Sequence, residues 1–80
     1  MDETKKYKSD NFEDALVEDM LSDVLEILEE RGYKPIEQLV GYLISGDPGY
    51  ITSHKEARRK IQKYDREKIL EVILKGYYKR

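Results

Sequence analysis

The stretch Val17-Glu-Asp-Met-Leu-Ser-Asp-Val-Leu-Glu-Ile-Leu28 decides the fold class. Its apolar residues recur at intervals of three and four positions, which places them on one side of an α-helix: Val17, Met20, Leu21, Val24, Leu25 and Leu28. Asp10 or Asn11 can cap the start of this helix, and Gly32 stands where a left-handed residue commonly ends one. We therefore predict a first helix over residues 12–31.

The same spacing returns after a short break. Pro35 suits the first position of a helix, because its missing N–H would have no partner there and its φ is already helical. The apolar positions that follow fit one helix face: Ile36, Leu39, Val40, Leu43 and Ile44. A second helix is predicted over residues 35–45.

A turn-forming segment, Ser45-Gly-Asp-Pro-Gly-Tyr50, follows the second helix. Gly46 can adopt positive φ and Pro48 fixes its own φ, so we expect a structured loop. A phosphate-binding loop is the less favoured interpretation, because the G-x-x-x-x-G-K-[ST] spacing is missing and no predicted strand precedes the segment.

Two more helices are predicted in the C-terminal part. Ser53 and Glu56 have the S-x-x-E spacing of a capping box, which predicts a third helix over residues 54–63. Asp65 can cap a fourth helix over residues 65–79, although helices three and four could also form one kinked helix. Residues 1–11 are polar and are expected to form a flexible tail before a single helical domain of residues 12–80.

The length and composition predict association. A chain of 80 residues buries only about 60% of the surface that its unfolded state exposes, and this chain has no cysteine for disulfides. We therefore expect an all-α domain of four helices that assembles as a homodimer through apolar faces that one subunit cannot cover. The residues predicted to lie in the core or the dimer interface are Leu21, Val24, Leu28, Leu39, Val40, Leu43, Ile69 and Ile73.

Several classes of protein are disfavoured. No apolar run approaches the ~20 residues of a membrane-spanning helix, so we expect a soluble, cytoplasmic protein without membrane insertion. The single histidine, His54, cannot build the usual Cys/His metal sites, so no metal and no cofactor are predicted. No nucleophile has an evident base beside it, which argues against an enzyme.

Charge is divided unevenly along the chain. Residues 1–32 contain eleven acids and four bases, a formal charge of −7, whereas residues 33–80 contain six acids and eleven bases, or +5. We expect the two parts to attract each other. The basic residues most able to hold a partner or a phosphate group cluster around the third helix: Lys55, Arg58, Arg59, Lys60 and Lys63.

Three interpretations of this basic cluster stay open. Its side chains can be solvated and paired with the acidic first helix, or can bind a protein or a phosphorylated segment. They can also hold the backbone of a nucleic acid, which is the alternative function that we consider. A helix-turn-helix is disfavoured, because the segment between helices two and three, Gly46 to Ser53, is longer than the usual three or four residues.

Thr4 is the candidate modification site. It lies in the polar segment before the first helix, where a kinase can reach it and a phosphate adds about −1.5 to −2 of charge. Ser9, Thr52 and Ser53 are competing hydroxyls, of which Ser53 is expected to be occupied as a helix cap.

A long motif is similar to one protein family. The run Gly32-Tyr-Lys-Pro-Ile-Glu-Gln-Leu-Val-Gly-Tyr-Leu-Ile-Ser-Gly-Asp-Pro-Gly-Tyr-Ile51 is followed by His54-Lys-x-Ala-Arg58, Ile61-x-Lys63 and Asp65-Arg-Glu67. This pattern resembles the IreB family of small regulatory phosphoproteins of Gram-positive bacteria, over nearly the whole chain. Lys34 replaces an expected Asn cap, which should cost about 1 kcal/mol locally, and Gly49 replaces a frequent Ala.

The resemblance implies a dimeric, all-helical, non-enzymatic protein. It implies phosphorylation by a transmembrane Ser/Thr kinase with PASTA repeats, removal of that phosphate by a cognate phosphatase, and a role in cell-envelope stress and cephalosporin tolerance. The tail motif of the family matches Asp2-Glu3-Thr4-Lys5-Lys6-Tyr7, which assigns the phosphorylation to Thr4. A second threonine found in some members is absent before Thr52. The downstream protein partner is not implied.

Overall fold

A computed structural model describes residues 10–79 and the side chains of residues 12–79. Within this range the chain contains four α-helices and no strand: α1 (Asp10–Glu30), α2 (Pro35–Ser45), α3 (Ala57–Ile61) and α4 (Arg66–Tyr78). Two short 3₁₀ helices, Pro48–Tyr50 and His54–Glu56, lie between α2 and α3. The predicted all-α fold with four helices is confirmed.

Glycine and proline set the boundaries between α1 and α2. Gly32 has a φ of +86°, and the N–H of Tyr33 donates to the carbonyl of Leu28 at 3.0 Å, which closes the end of α1. Pro35 lies in the first turn of α2, as predicted, and Lys34 before it makes no side-chain cap. α1 begins at Asp10, so the boundary expected between tail and helix at residues 11 and 12 lies inside the helix.

One face of α1 forms the centre of the core, against which α2, α3 and α4 pack. Five of the residues predicted for the core or the dimer interface are buried: Leu21, Val24, Leu28, Leu39 and Ile69. Leu43 and Ile73 are partly buried against this core. Val40 is 47% exposed and lies outside it.

The loop after α2 is fastened to that helix. The Asp47 Oδ1 accepts from the N–H of Gly49 at 2.8 Å, and the Gln38 side chain donates to the carbonyl of Tyr50 at 2.9 Å. The ring of Tyr50 lies against Gly41, where a Cβ atom would be only 2.5 Å from the ring carbons. Glycine at position 41 therefore lets the loop lie close to α2.

The prediction that the third helix begins at His54 is wrong. Lys55 and Glu56 have φ values of +52° and +65°, so the backbone is left-handed where a helix from His54 was expected. Ser53 makes no capping bond, and α3 begins only at Ala57, which is buried with Ile51 in the core. Each left-handed non-glycine residue costs about 1–2 kcal/mol, which tertiary contacts around this turn must offset.

Candidate functional site

α1 is acidic along its whole length, with nine Asp or Glu residues and no basic residue. Lysines from the C-terminal part of the chain pair with this helix. The Lys60 ammonium contacts the carboxylate of Asp23, and the Lys55 Nζ lies 3.0 and 3.2 Å from the two carboxylate oxygens of Glu30. The predicted attraction between the two parts of the chain is confirmed in these contacts.

Asp14 forms the third charged contact of α1, with α4. The Lys68 Nζ lies 2.8 Å from its Oδ1, and the Lys75 Nζ lies 3.0 Å from its Oδ2. Glu71 lies 3.7 and 3.6 Å from the same two ammonium groups. Hydrogen bonds from Lys68 and Lys75 lower the pKa of the Asp14 carboxyl, and they outweigh the desolvation that raises it. The carboxylate is therefore held ionised at the junction of the two helices.

This junction was not predicted from the sequence. The sequence does contain a partial signal for it. Lys68, Glu71 and Lys75 are spaced by three and four positions, which places these charged side chains on one side of α4. Their partner Asp14 could not be identified, because periodicity does not give the register between two helices.

The predicted basic cluster does not form one uniform surface. Lys55 and Lys60 are bound to acids of α1, and the Arg58 Nε donates to the carbonyl of Ile51 at 2.9 Å. The Arg59 Nε lies 3.2 Å from the Glu56 carboxylate, and both side chains are exposed. Lys63 is exposed and makes no ion pair among residues 10–79. Arg59 and Lys63 are thus the most accessible cations of the cluster.

The remaining predicted site residues are the candidate hydroxyls and His54. Thr4 and Ser9 lie outside the described residues. His54 is partly buried, and its backbone N–H donates to the Thr52 hydroxyl at 3.2 Å. In the part of the chain that the structure describes, no group of three His, Cys, Asp or Glu residues could hold a metal ion. None of the helices described is long and apolar enough to span a bilayer.

α2 and α4 each expose a row of three apolar side chains at helical spacing, and α1 exposes Phe12 and Leu16. On α2 the exposed residues are Ile36, Val40 and Ile44; on α4 they are Leu70, Leu74 and Tyr77. Ile44 is 79% exposed and Leu74 is 61% exposed. We call these two groups the apolar flanks. The Arg66 guanidinium donates to the carbonyl of Leu43 at 2.9 Å, so the end of α2 is joined to the start of α4.

These features define a small helical protein that exposes apolar helix flanks and charged side chains. A family model described as IreB regulatory phosphoprotein matches residues 2–79. The chain belongs to the IreB family, and the resemblance noted in the sequence is confirmed. The matched range includes Thr4.

Replacing Asp14 tests the junction of α1 and α4. Because the pKa of Asp14 is lower in the folded state, its stabilising effect is present above the ordinary pKa of a carboxyl and is lost as the pH falls through the lowered value. Asp14→Asn should reduce the free energy of unfolding at pH 7 by about 1–2 kcal/mol, between the values for exposed and buried ion pairs. Urea unfolding at pH 7 and pH 2 measures this difference, which should shrink at the lower pH.

The matched control is Asp19→Asn, the same change at an exposed position of α1. It should change the unfolding free energy by less than about 0.5 kcal/mol. Equal losses in the two variants would show that the contacts of Asp14 with Lys68 and Lys75 do not stabilise the fold.

Proposed function

We propose that this protein is a non-enzymatic regulator that is phosphorylated on Thr4 and acts by binding other proteins. The kinase is a membrane Ser/Thr kinase with PASTA repeats, a cognate phosphatase reverses the modification, and the response modulated is cell-envelope stress or cephalosporin tolerance. The protein acts in the cytoplasm on a downstream protein of unknown identity. The observation that carries the proposal is the family match over residues 2–79, which includes the segment around Thr4.

The geometry supports a binding role over a catalytic one. The carboxylates of Asp14, Asp23 and Glu30 are bound to lysines of other elements, so they hold helices together. Groups used in this way are not arranged to exchange protons with a substrate.

The accessible part of the basic cluster supports a contact with the phosphate. A phosphorylated Thr4 gains about −1.5 to −2 of charge and can bind Arg and Lys side chains. Thr4 lies six positions before Asp10, an extended length of about 20 Å, and α1 rises about 20 Å from Asp10 to Asp23. Thr4 can therefore reach the neighbourhood of Lys60, which contacts Asp23. This contact would change which surface a partner meets.

Nucleic-acid binding has less support from the same residues. Lys55 and Lys60 are already bound to carboxylates of α1, and the outward side of that helix is acidic. A phosphate backbone would have to displace these carboxylates and approach a negative helix.

The apolar flanks support a homodimer. A second copy that covers them would remove exposed Ile44 and Leu74 from water, which supplies stability that a chain of this length lacks alone. Arg66 joins the end of α2 to the start of α4, so the two flanks belong to helices that meet at this point.

The phosphorylation site is tested with the cytoplasmic domain of a PASTA kinase and the full chain. Wild-type protein should gain one phosphate, and Thr4→Ala should abolish it. Ser9→Ala is the matched control in the same segment and should be phosphorylated like the wild type. Intact-mass measurement reads the result. Unchanged phosphorylation of Thr4→Ala would contradict the assignment.

The dimer is tested with Ile44→Glu, which places a charge on an exposed apolar position of α2. Because a buried, unpaired carboxylate is costly, the dimer dissociation constant should rise at least about tenfold. Gln62→Glu is the control, since it adds the same charge at an exposed position outside both flanks. Sedimentation equilibrium measures the constant, and an unchanged value for Ile44→Glu would exclude this flank from the interface.

A further inference from the structure

The segment Ser53–Glu56 combines two conflicting conformational signals. Its sequence has the capping-box spacing of a helix that begins at His54. In the structure, Lys55 and Glu56 are both left-handed, and Ser53 makes no capping bond. Left-handed backbone is unfavourable for both residues, so local preference and tertiary structure disagree at this point.

A few contacts hold the left-handed turn. The Lys55 ammonium binds both carboxylate oxygens of Glu30, at 3.0 and 3.2 Å. On the other side of the turn, the N–H of Arg58 donates to the carbonyl of Thr52 at 3.0 Å. The pair of Lys55 and Glu30 is partly exposed, so it is a contact that can open without disturbing the buried core.

A helical form of the segment would rearrange the charges. With α3 extended back to His54, Glu56 occupies the third helical position, from which its carboxylate can accept from the N–H of Ser53. Glu56 then leaves Arg59, and Lys55 leaves Glu30. Lys55 and Arg59 become neighbours four positions apart on one helix, and Lys63 follows four positions later, past the helix end.

We propose that residues 53–56 form a two-state switch that controls anion binding by α3. In the latched form, which the structure shows, Glu30 neutralises Lys55 and Glu56 neutralises Arg59. In the released form, α3 gains a turn and both cations lose their carboxylate partners, so they can bind a phosphate group. The ligand is the phosphorylated Thr4 segment of a second copy, because the reach of about 20 Å from Asp10 falls short of Glu30, which lies about 30 Å along α1. This assignment rests on the proposed function.

The switch itself is tested by NMR of the unphosphorylated full chain. Glu30→Gln removes the latch and should raise the population of the helical form about two- to fivefold, the factor that a partly exposed ion pair supplies. Helical ¹³Cα shifts at residues 54–56, and weaker intraresidue HN–Hα cross-peaks at Lys55 and Glu56, report this form. Glu29→Gln is the matched control on the exposed side of α1 and should leave the spectra of the segment unchanged.

A second variant drives the segment the other way. Glu56→Gly favours the left-handed backbone and removes the capping carboxylate, so it should hold the latched form. Identical left-handed signals in Glu30→Gln and wild type would overturn the switch.

The ligand is tested with a peptide of residues 1–9 phosphorylated on Thr4, with the unphosphorylated peptide as control. Binding should move residues 54–56 toward helical shifts. Glu56→Gly should bind the phosphorylated peptide several-fold more weakly than Glu56→Gln, which removes the same charge beside Arg59 without favouring the left-handed backbone. Binding without a helical shift would overturn the switch and leave the proposed function standing. No preference for the phosphorylated peptide would overturn the ligand assignment, while the Glu30→Gln spectra would still decide the switch.

Discussion

The charge of α1 is the constraint on which the rest of the structure depends. This helix has nine acids and no base, so its neutralising partners must come from other elements. Asp14 binds lysines of α4, Asp23 binds Lys60 of α3, and Glu30 binds the turn before α3. The contacts are distributed along the helix and accompany the buried apolar face, so they reinforce the register that apolar packing sets, most strongly at the least exposed pair of Asp14 and Lys68.

The same constraint determines which surfaces are left for function. Asp23 commits Lys60 to the fold, which leaves Arg59, Lys63 and, in the proposed released form, Lys55 as the accessible part of the basic cluster. The apolar flanks of α2 and α4 are exposed in the part of the chain that the structure describes. In the function that we propose, the apolar flanks serve assembly and the accessible cations serve a charge-dependent signal.

Local signals in the sequence predicted most of the fold. The spacing from Val17 to Leu28, with Gly32 and Pro35, predicted α1 and the start of α2, because each signal acts within a few residues. The capping box at Ser53 failed, since contacts from Glu30 and Thr52 impose a different backbone there. The junction at Asp14 was not predictable either, because it depends on how α4 lies against α1. The phosphorylation site Thr4 lies outside the described residues and depends on the family match alone.

Phosphate on Thr4 in living cells is the central claim, and it is measured most directly by intact mass and fragment mapping of the protein isolated from its native cells, with and without cell-wall stress. We predict a singly phosphorylated form whose phosphate maps to Thr4 and whose fraction changes with stress. A chain that is unmodified under both conditions, or phosphorylated only elsewhere, would contradict regulation through Thr4.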